Sequence, residues 1–137
     1  MAELSQLHFL VVDDMLTMRK IVSQQLKSLG VTQITEANDG STAWEKLEAA
    51  AATPDQAPKF IVSDWNMPQL KGIDLLKKCR SHPVYKDIAF LLVTAEAEAS
   101  QVKEAIIAGV DNYVVKPFTP AAFQEKLNAV YNKRFKK

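Results

Sequence analysis

Three acidic residues, a threonine and a lysine stand where short apolar segments of the sequence end. Asp13 and Asp14 follow the first such segment, and Asp64, Thr94 and Lys116 stand at the ends of three others. Each has an ordinary explanation when taken singly, because Asp often caps the next helix, Thr is common in strands and Lys-Pro suits a turn. If the segments are parallel strands of one sheet, however, all five residues meet at its carboxyl edge. That convergence indicates a functional site.

These residue types together suit phosphoryl chemistry. Three carboxylates held close together repel one another and need a cation to stay ionised, and Mg²⁺ suits a few carboxylates combined with waters and phosphate oxygens. A carboxylate nucleophile, Mg²⁺, the ammonium of Lys116 and the hydroxyl of Thr94 would together serve phosphoryl transfer. Neither histidine is placed to act as a base, since His8 begins the first segment and His82 lies beyond the third predicted helix. We therefore expect an acidic, magnesium-binding cluster around Asp64.

Five repeats of a strand followed by a helix must position this cluster. Strands are predicted at 8–12, 34–37, 60–62, 90–93 and 113–115, and apolar residues recur at helical spacing after each of them. The repeats predict an α/β fold, a doubly wound, five-stranded parallel sheet with five helices on its two faces, of the flavodoxin-like kind. Strand two alternates and so resembles an edge, whereas strands one, three and four are continuously apolar. This favours an order with strands one, three and four in the middle, such as 2-1-3-4-5, in which ligands would bind at the carboxyl ends of strands one and three.

Composition narrows the class of protein. With 137 residues, 47% hydrophobic and 24% charged, the chain is expected to form one domain, 1–137, without an output domain. A net charge of +1 argues against nucleic-acid binding, and the basic segment 133–137 is interpreted as a helix end. The single cysteine, Cys79, lies on an apolar helix face and is expected to be buried. Neither a signal peptide nor a run of ~20 apolar residues is found, which predicts a cytoplasmic protein without membrane contact.

One connection, 49–58, is irregular and contains two prolines. It joins helix two to strand three and so belongs at the amino-terminal edge of the sheet, away from the predicted site. A tolerated loop extension is the favoured interpretation, and a partner-specific surface is the alternative.

Four motifs at the predicted strand ends resemble those of response-regulator receiver domains. They are Val11–Asp14, Ser63–Pro68, Val93–Glu96 and Tyr113–Phe118, and the resemblance extends over nearly the whole chain. Within that family the chain is most similar to the single-domain regulators of chemotaxis.

The resemblance implies a role for each residue of the cluster. Asp64 would accept a phosphoryl group from a histidine kinase. Asp14, Asp64 and the backbone carbonyl of Asn66 would bind Mg²⁺, with Asp13 acting directly or through water. Lys116 would pair with Asp64 and then with a phosphoryl oxygen, and its bond to the following proline would be cis.

The resemblance also implies a conformational switch. Thr94 would move to bind the phosphoryl group, and Tyr113 would turn inward into the space that Thr94 leaves. Asn66 and Glu96 would tune the phosphoryl lifetime and the action of a phosphatase. Trp65, beside the acceptor, would either shield the site or contact a partner.

The expected output surface comprises helix four, strand five and helix five, and its expected target is a flagellar motor switch protein or another docking partner. Relatives that bind the motor carry lysines just after the Thr-Ala-Glu motif, whereas this chain has Glu98 and Ala99 there. The surface is therefore less basic, which leaves the identity of the target open. A monomer is expected.

Three alternatives remain at this point. A phosphorelay intermediate or phosphate sink would use the same chemistry without a motor. A phosphatase with an aspartyl nucleophile would need an Asp-x-Asp motif and a cap domain, but Asp13 and Asp14 are adjacent and no insertion is large enough for a cap. A flavodoxin-like electron carrier would need a hydroxyl- and glycine-rich phosphate cradle where Asp13, Asp14 and Met15 stand.

Overall fold

Each predicted strand and helix is present in the computed structural model, which describes residues 4–67, 69–95 and 99–135. The strands are β1 (His8–Val12), β2 (Gln33–Ala37), β3 (Phe60–Asp64), β4 (Ala89–Thr94) and β5 (Asn112–Val115). The α-helices are α1 (Leu16–Ser28), α2 (Gly40–Ala50), α3 (Gly72–Arg80), α4 (Ala99–Ala108) and α5 (Pro120–Arg134). Short 3-10 helices lie at Leu4–Gln6 and Pro54–Gln56.

The strands form one parallel sheet in the order β2-β1-β3-β4-β5, which confirms the predicted order. Burial explains it, because β3 and β4 are buried along their whole length whereas only Ala37 of β2 is buried. β1 lies between β2 and β3, so that Val11 is opposite Glu36 on one side and Val62 on the other. The connection that follows β1 leads to β2 on one side, whereas the connection that follows β3 leads to β4 on the other side. A crevice therefore opens between the carboxyl ends of β1 and β3.

Helices cover both faces of this sheet because the side chains of its central strands alternate between the faces. The helices α1 and α5 pack on one face, where the rings of Phe9 and Phe60 stack with their centroids 4.7 Å apart. The helices α2, α3 and α4 pack on the other face, around Leu10 and Ile61. Fully buried side chains join the helices to the sheet: Leu26 from α1, Leu47 from α2, Leu76 from α3, and Phe123 and Leu127 from α5.

Three residues show how local sequence signals set the helix ends and the packing of the core. Gly30 adopts a φ of +92° just after α1, a conformation that glycine accepts readily. Asp39 caps α2, since its side chain accepts a hydrogen bond from the Thr42 N–H at 2.7 Å. Cys79 is buried in α3, and burial raises the pKa of its thiol to about 12. These residues set the helix ends and the packing that hold the strands in place.

The structure departs from the sequence pattern in two places. Ile21 and Ile106 belong to the apolar residues that recur at helical spacing, but both are exposed. Helical spacing alone cannot separate a buried stripe from its margin, where such residues lie. Helix α2 continues to Ala50, and the segment that was expected to be irregular includes the 3-10 helix at Pro54–Gln56. Alanine has the highest helix propensity, which explains the longer helix.

An ion-pair cluster that sequence reasoning missed lies at the amino-terminal edge of β4 and β5. The Asp111 carboxylate, with a fully buried side chain, accepts hydrogen bonds from the Phe90 N–H at 2.9 Å and from Arg134 Nε at 2.8 Å. Lys133 Nζ lies 3.1 Å from the same carboxylate and Arg80 Nη2 lies 3.4 Å from it. The basic end of α5 is thus fastened to the sheet and to the end of α3.

Candidate functional site

The predicted acidic cluster forms at the carboxyl ends of β1 and β3. These strands are neighbours, and Val12 is opposite Ser63, so the residues that come next, Asp13 and Asp64, lie side by side. Asp13, Asp14 and Asp64 can each offer one oxygen such that all three atoms lie within 4.8 Å of one another. Asp13 is 3% exposed and Asp64 is 7% exposed, whereas Asp14 is open to solvent. The cluster is therefore a pair of buried carboxylates with a third at its mouth.

Lys116 reaches this cluster from the end of β5. Its Nζ lies 3.2 Å from Asp64 Oδ1 and 3.3 Å from Asp13 Oδ2, so one ammonium bridges the two buried carboxylates. Its backbone N–H donates to the Thr94 carbonyl at 2.7 Å, which ties the start of the β5–α5 loop to β4. The Lys116–Pro117 peptide bond is cis.

Burial dominates the electrostatics of the two inner carboxylates. Loss of water raises the pKa of Asp64, and the neighbouring Asp13 raises it further, against the opposing effects of Lys116 and the Trp65 N–H. Burial also raises the pKa of Asp13, opposed by the Met15 N–H and Lys116. One lysine cannot balance three ionised carboxylates, and a small divalent cation with oxygen ligands would. The donor set therefore fits Mg²⁺.

Hydrogen bonds of the β3–α3 loop hold the candidate acceptor, Asp64, in position. Asp64 Oδ1 accepts a hydrogen bond from the Trp65 N–H at 2.9 Å, and the Trp65 carbonyl accepts one from the Gly72 N–H at 2.9 Å. A Cβ on Gly72 would stand 2.1 Å from the Asp64 carbonyl oxygen, so only glycine permits this approach. Sequence reasoning missed this role of Gly72, which only the close approach in the folded structure reveals.

Trp65 and Asn66, next to the acceptor candidate, have opposite environments. Trp65 is 6% exposed and packs into the core on the face that carries α2, α3 and α4. Between the two roles expected for it, shielding and partner contact, its burial favours shielding. Asn66 is exposed to solvent, and its backbone carbonyl was expected to bind metal.

The two proposed switch residues lie on β4 and β5. Thr94 ends β4, is buried and is opposite Val115, while Tyr113 is half-buried two residues before Val115 on β5. Lys126 Nζ from α5 lies 5.7 Å from the centroid of the Tyr113 ring. The same region exposes apolar side chains, since Ile106 of α4 is 63% exposed and Val115 is 37% exposed. The expected tuning residue Glu96, and Glu98 on the expected output surface, lie outside the described residues.

Neither histidine belongs to the acidic cluster. The His8 ring contacts the Gln56 carbonyl at 3.0 Å and Thr35 Oγ1 at 2.7 Å, at the opposite edge of the sheet. His82 packs edge-on against Trp44 with centroids 5.7 Å apart. Both positions agree with the expectation that neither histidine acts as a base at the site.

The fold and the acidic cluster define a class of signalling domain. Residues 9–128 match the family model of the response regulator receiver domain, so the chain belongs to that family. It is 47% identical over 121 residues to chemotaxis protein CheY1 of Helicobacter pylori, covering 88% of this chain and 94% of the relative. It is 43% identical over 121 residues to the chemotaxis protein CheY homolog of Campylobacter jejuni, covering 88% and 89%.

A solved structure agrees with these relatives. The chemotaxis response regulator CheY4 of Vibrio cholerae superposes with a TM-score of 0.80 at 31% identity, covering 90% of this chain and 98% of the other. The parallel sheet and its strand order are therefore those of chemotaxis response regulators. Among the described residues, no helix combines the length and apolar character needed to cross a bilayer.

Proposed function

We propose that Asp64 accepts a phosphoryl group from a histidine kinase in a Mg²⁺-dependent reaction. The observation that carries this proposal is the bridging of Asp13 and Asp64 by Lys116 beside a third carboxylate, Asp14. Membership of the receiver family supports it. The family also argues against the aspartyl phosphatase and the electron carrier as alternatives.

In the proposed reaction, a carboxylate oxygen of Asp64 attacks the phosphorus of a phosphohistidine. The new O–P bond forms as the N–P bond breaks, and the leaving imidazole takes up a proton. Lys116, already 3.2 Å from Asp64, would follow the transferred group and neutralise one of its oxygens. Mg²⁺ held by Asp13, Asp14, Asp64 and the Asn66 carbonyl would supply positive charge to the phosphoryl oxygens. Burial of Asp64 restricts water around the nucleophile and strengthens these interactions.

Phosphorylation would then bias a switch between two conformations. The Thr94 side chain ends the strand beside β3, so a short movement would bring its hydroxyl toward a phosphoryl oxygen on Asp64. Tyr113, which lies over the same side of the sheet, would move into the space that Thr94 leaves. Loss of the group to water would reset the protein, with Asn66 and Glu96 tuning the rate.

The output partner is proposed from the relatives. The two relatives compared above are named as chemotaxis proteins, which supports a flagellar motor switch protein docking on α4, β5 and α5. The exposed Ile106 and Val115 supply apolar area on that surface. We further propose a monomer acting in the cytoplasm, reset by a phosphatase, and binding neither nucleic acid nor membrane.

A phosphorelay intermediate or phosphate sink is the second candidate. Glu98 and Ala99 stand where motor-binding relatives carry lysines, which favours this candidate. Reversible transfer to a histidine phosphotransfer protein, without activation-dependent binding of a motor switch peptide, would support it over the motor regulator.

The phosphoacceptor assignment is tested with a small phosphodonor and Mg²⁺. Intact-protein mass spectrometry should show one added phosphoryl group on the wild type and none on Asp64→Asn. Asp55→Asn, at an exposed acid in the α2–β3 connection, is the matched control and should be labelled like the wild type. Labelling of Asp64→Asn to the wild-type extent would refute the assignment.

The metal is tested by fluorescence in a Trp44→Phe background, which leaves Trp65 as the single tryptophan. Millimolar Mg²⁺ should change its emission, and Asp13→Asn should weaken the response. The partner is tested by capture with and without beryllofluoride, a phosphoryl mimic. A motor switch protein should be retained only with the beryllofluoride-treated wild type and not with Asp64→Asn treated in the same way.

A further inference from the structure

We infer that Arg19 is a positioning residue for the metal-binding acids. Its guanidinium fixes the backbone of the turn that carries Asp13 and Asp14. The inference rests on the proposed Mg²⁺ site and identifies a residue that helps to build it.

The turn between β1 and α1 is fastened at three points. The Asp13 N–H donates to the Ala37 carbonyl at 3.2 Å, and the Met15 N–H donates to Asp13 Oδ1 at 2.9 Å. The Arg19 backbone N–H donates to the Met15 carbonyl at 3.0 Å. Asp14 lies between two anchored residues, so the placement of its carboxylate depends on theirs.

The Arg19 side chain adds a contact that closes this turn from the helix side. Its Nη1 donates to the Asp13 carbonyl at 2.8 Å, while its Nε lies 3.3 Å from Glu36 Oε1. The side chain is only 15% exposed. A planar guanidinium can make both contacts at once, which an ammonium on a flexible stem cannot do with the same geometry.

Glu36 holds this arginine in place, whereas Lys46 contacts only the Glu36 backbone. Glu36 belongs to β2 and receives the Arg19 Nε, and its carbonyl accepts a hydrogen bond from Lys46 Nζ of α2 at 2.6 Å. Arg19, Glu36 and Lys46 line a cleft of about 210 Å³ beside the carboxyl end of β2. The acid-bearing turn is thus tied through Arg19 to β2.

The charge of Arg19 and its positioning role predict opposite changes in Mg²⁺ affinity when Arg19 is replaced. Arg19 carries a positive charge next to a site for a divalent cation, so by charge alone its removal should tighten Mg²⁺ binding. If Arg19 positions the turn, its removal should weaken binding, because the carboxylates are then held less well. Replacing a residue that orients metal ligands typically lowers the metal affinity by 10–100-fold.

The test compares Mg²⁺ dissociation constants measured by calorimetry. Arg19→Gln should bind Mg²⁺ about tenfold more weakly than the wild type, near the lower end of that range. Arg19→Lys should show a similar loss although it keeps the charge. Lys46→Met removes a cation from the same cleft without touching the turn, and it should bind like the wild type or slightly tighter. Glu36→Gln leaves the contact between Arg19 and the Asp13 carbonyl in place, so its loss of Mg²⁺ affinity should be smaller than that of Arg19→Gln.

A second measurement is independent of metal. Amide hydrogen exchange of the Mg²⁺-free protein should be faster at Met15 in Arg19→Gln and unchanged there in Lys46→Met. Unchanged or tighter Mg²⁺ binding by Arg19→Gln, or full recovery in Arg19→Lys, would overturn the inference while leaving the proposed function in place. Failure of the wild type to bind Mg²⁺ would instead refute the proposed function.

Discussion

Asp111 offers a demanding test of the forces that hold this fold, because its carboxylate is fully buried and faces three cationic side chains. Replacing it with alanine removes the acceptor for the Phe90 N–H and for Arg134. We expect Asp111→Ala to be strongly destabilising while leaving the Mg²⁺ site intact, since the cluster lies at the opposite edge of the sheet.

The size of the destabilisation follows from the groups that would lose the Asp111 carboxylate as a partner. Lys133 is 55% exposed and its pair contributes little. Arg80 contributes little as well, because it keeps hydrogen bonds to the Gly109 carbonyl at 2.8 Å and to the Ile88 carbonyl at 2.7 Å. The N–H of the fully buried Phe90 would lose its acceptor, at about 1–3 kcal/mol, and the charged bonds of Arg134 are worth a further 1.5–3 kcal/mol. Solvent access to Arg134 lowers the second figure, so we expect about 3–4 kcal/mol in all.

Urea unfolding followed by tryptophan fluorescence measures this loss as a fall in the midpoint at constant slope. Asp111→Asn should lose less, because its amide oxygen can still accept from the Phe90 N–H. Asp87→Ala is the matched control, since Asp87 is an exposed acid that also stabilises the charge of Arg80, and it should cost less than about 0.5 kcal/mol. A loss below about 1 kcal/mol for Asp111→Ala, or one no larger than that of Asp87→Ala, would refute the reasoning.

Three further predictions concern the site and its surroundings. Burial raises the pKa of Asp64, so the folded protein binds this proton more tightly than the unfolded chain does, and stability falls as the pH rises above about 4. Asp64→Asn should therefore stabilise the Mg²⁺-free protein at pH 7. In thermal unfolding, the difference in stability between this variant and the wild type should shrink as the pH falls toward 4. A difference that stays constant with pH would show that the raised pKa of Asp64 is not its cause. Cys79, with a pKa of about 12, should resist iodoacetamide at pH 8 in the native protein and react in urea, and rapid native alkylation would show that it is not buried. Gln69 has a φ of +72°, so Gln69→Asn should raise the free energy of unfolding by roughly 0.5–1 kcal/mol in urea titrations. Gln69→Ala is its control and should give no gain.

Much of the fold could be predicted because its signals are local. The continuously apolar β1, β3 and β4 and the alternating β2 placed the central and edge strands correctly. Parallel strands carry the residues after them to one edge, so the gathering of Asp13, Asp64 and Lys116 also followed from sequence. The exposure of Ile21 and Ile106 did not, because helical spacing does not tell how far the neighbouring helices extend over each residue.

The sequence by itself therefore determined which strands lie in the middle of the sheet, the class of site and the residue types that meet there. The tertiary structure alone decided which long-range partners support them. Arg19 reaches the Asp13 carbonyl and Glu36, Gly72 lets α3 approach Asp64, and Asp111 gathers charges from α3 and α5. Hydrophobic periodicity and the positions of strand ends describe the structure within a single helix or strand. These contacts instead join elements that are far apart in the chain. Their geometry exists only after the sheet and its helices have packed together.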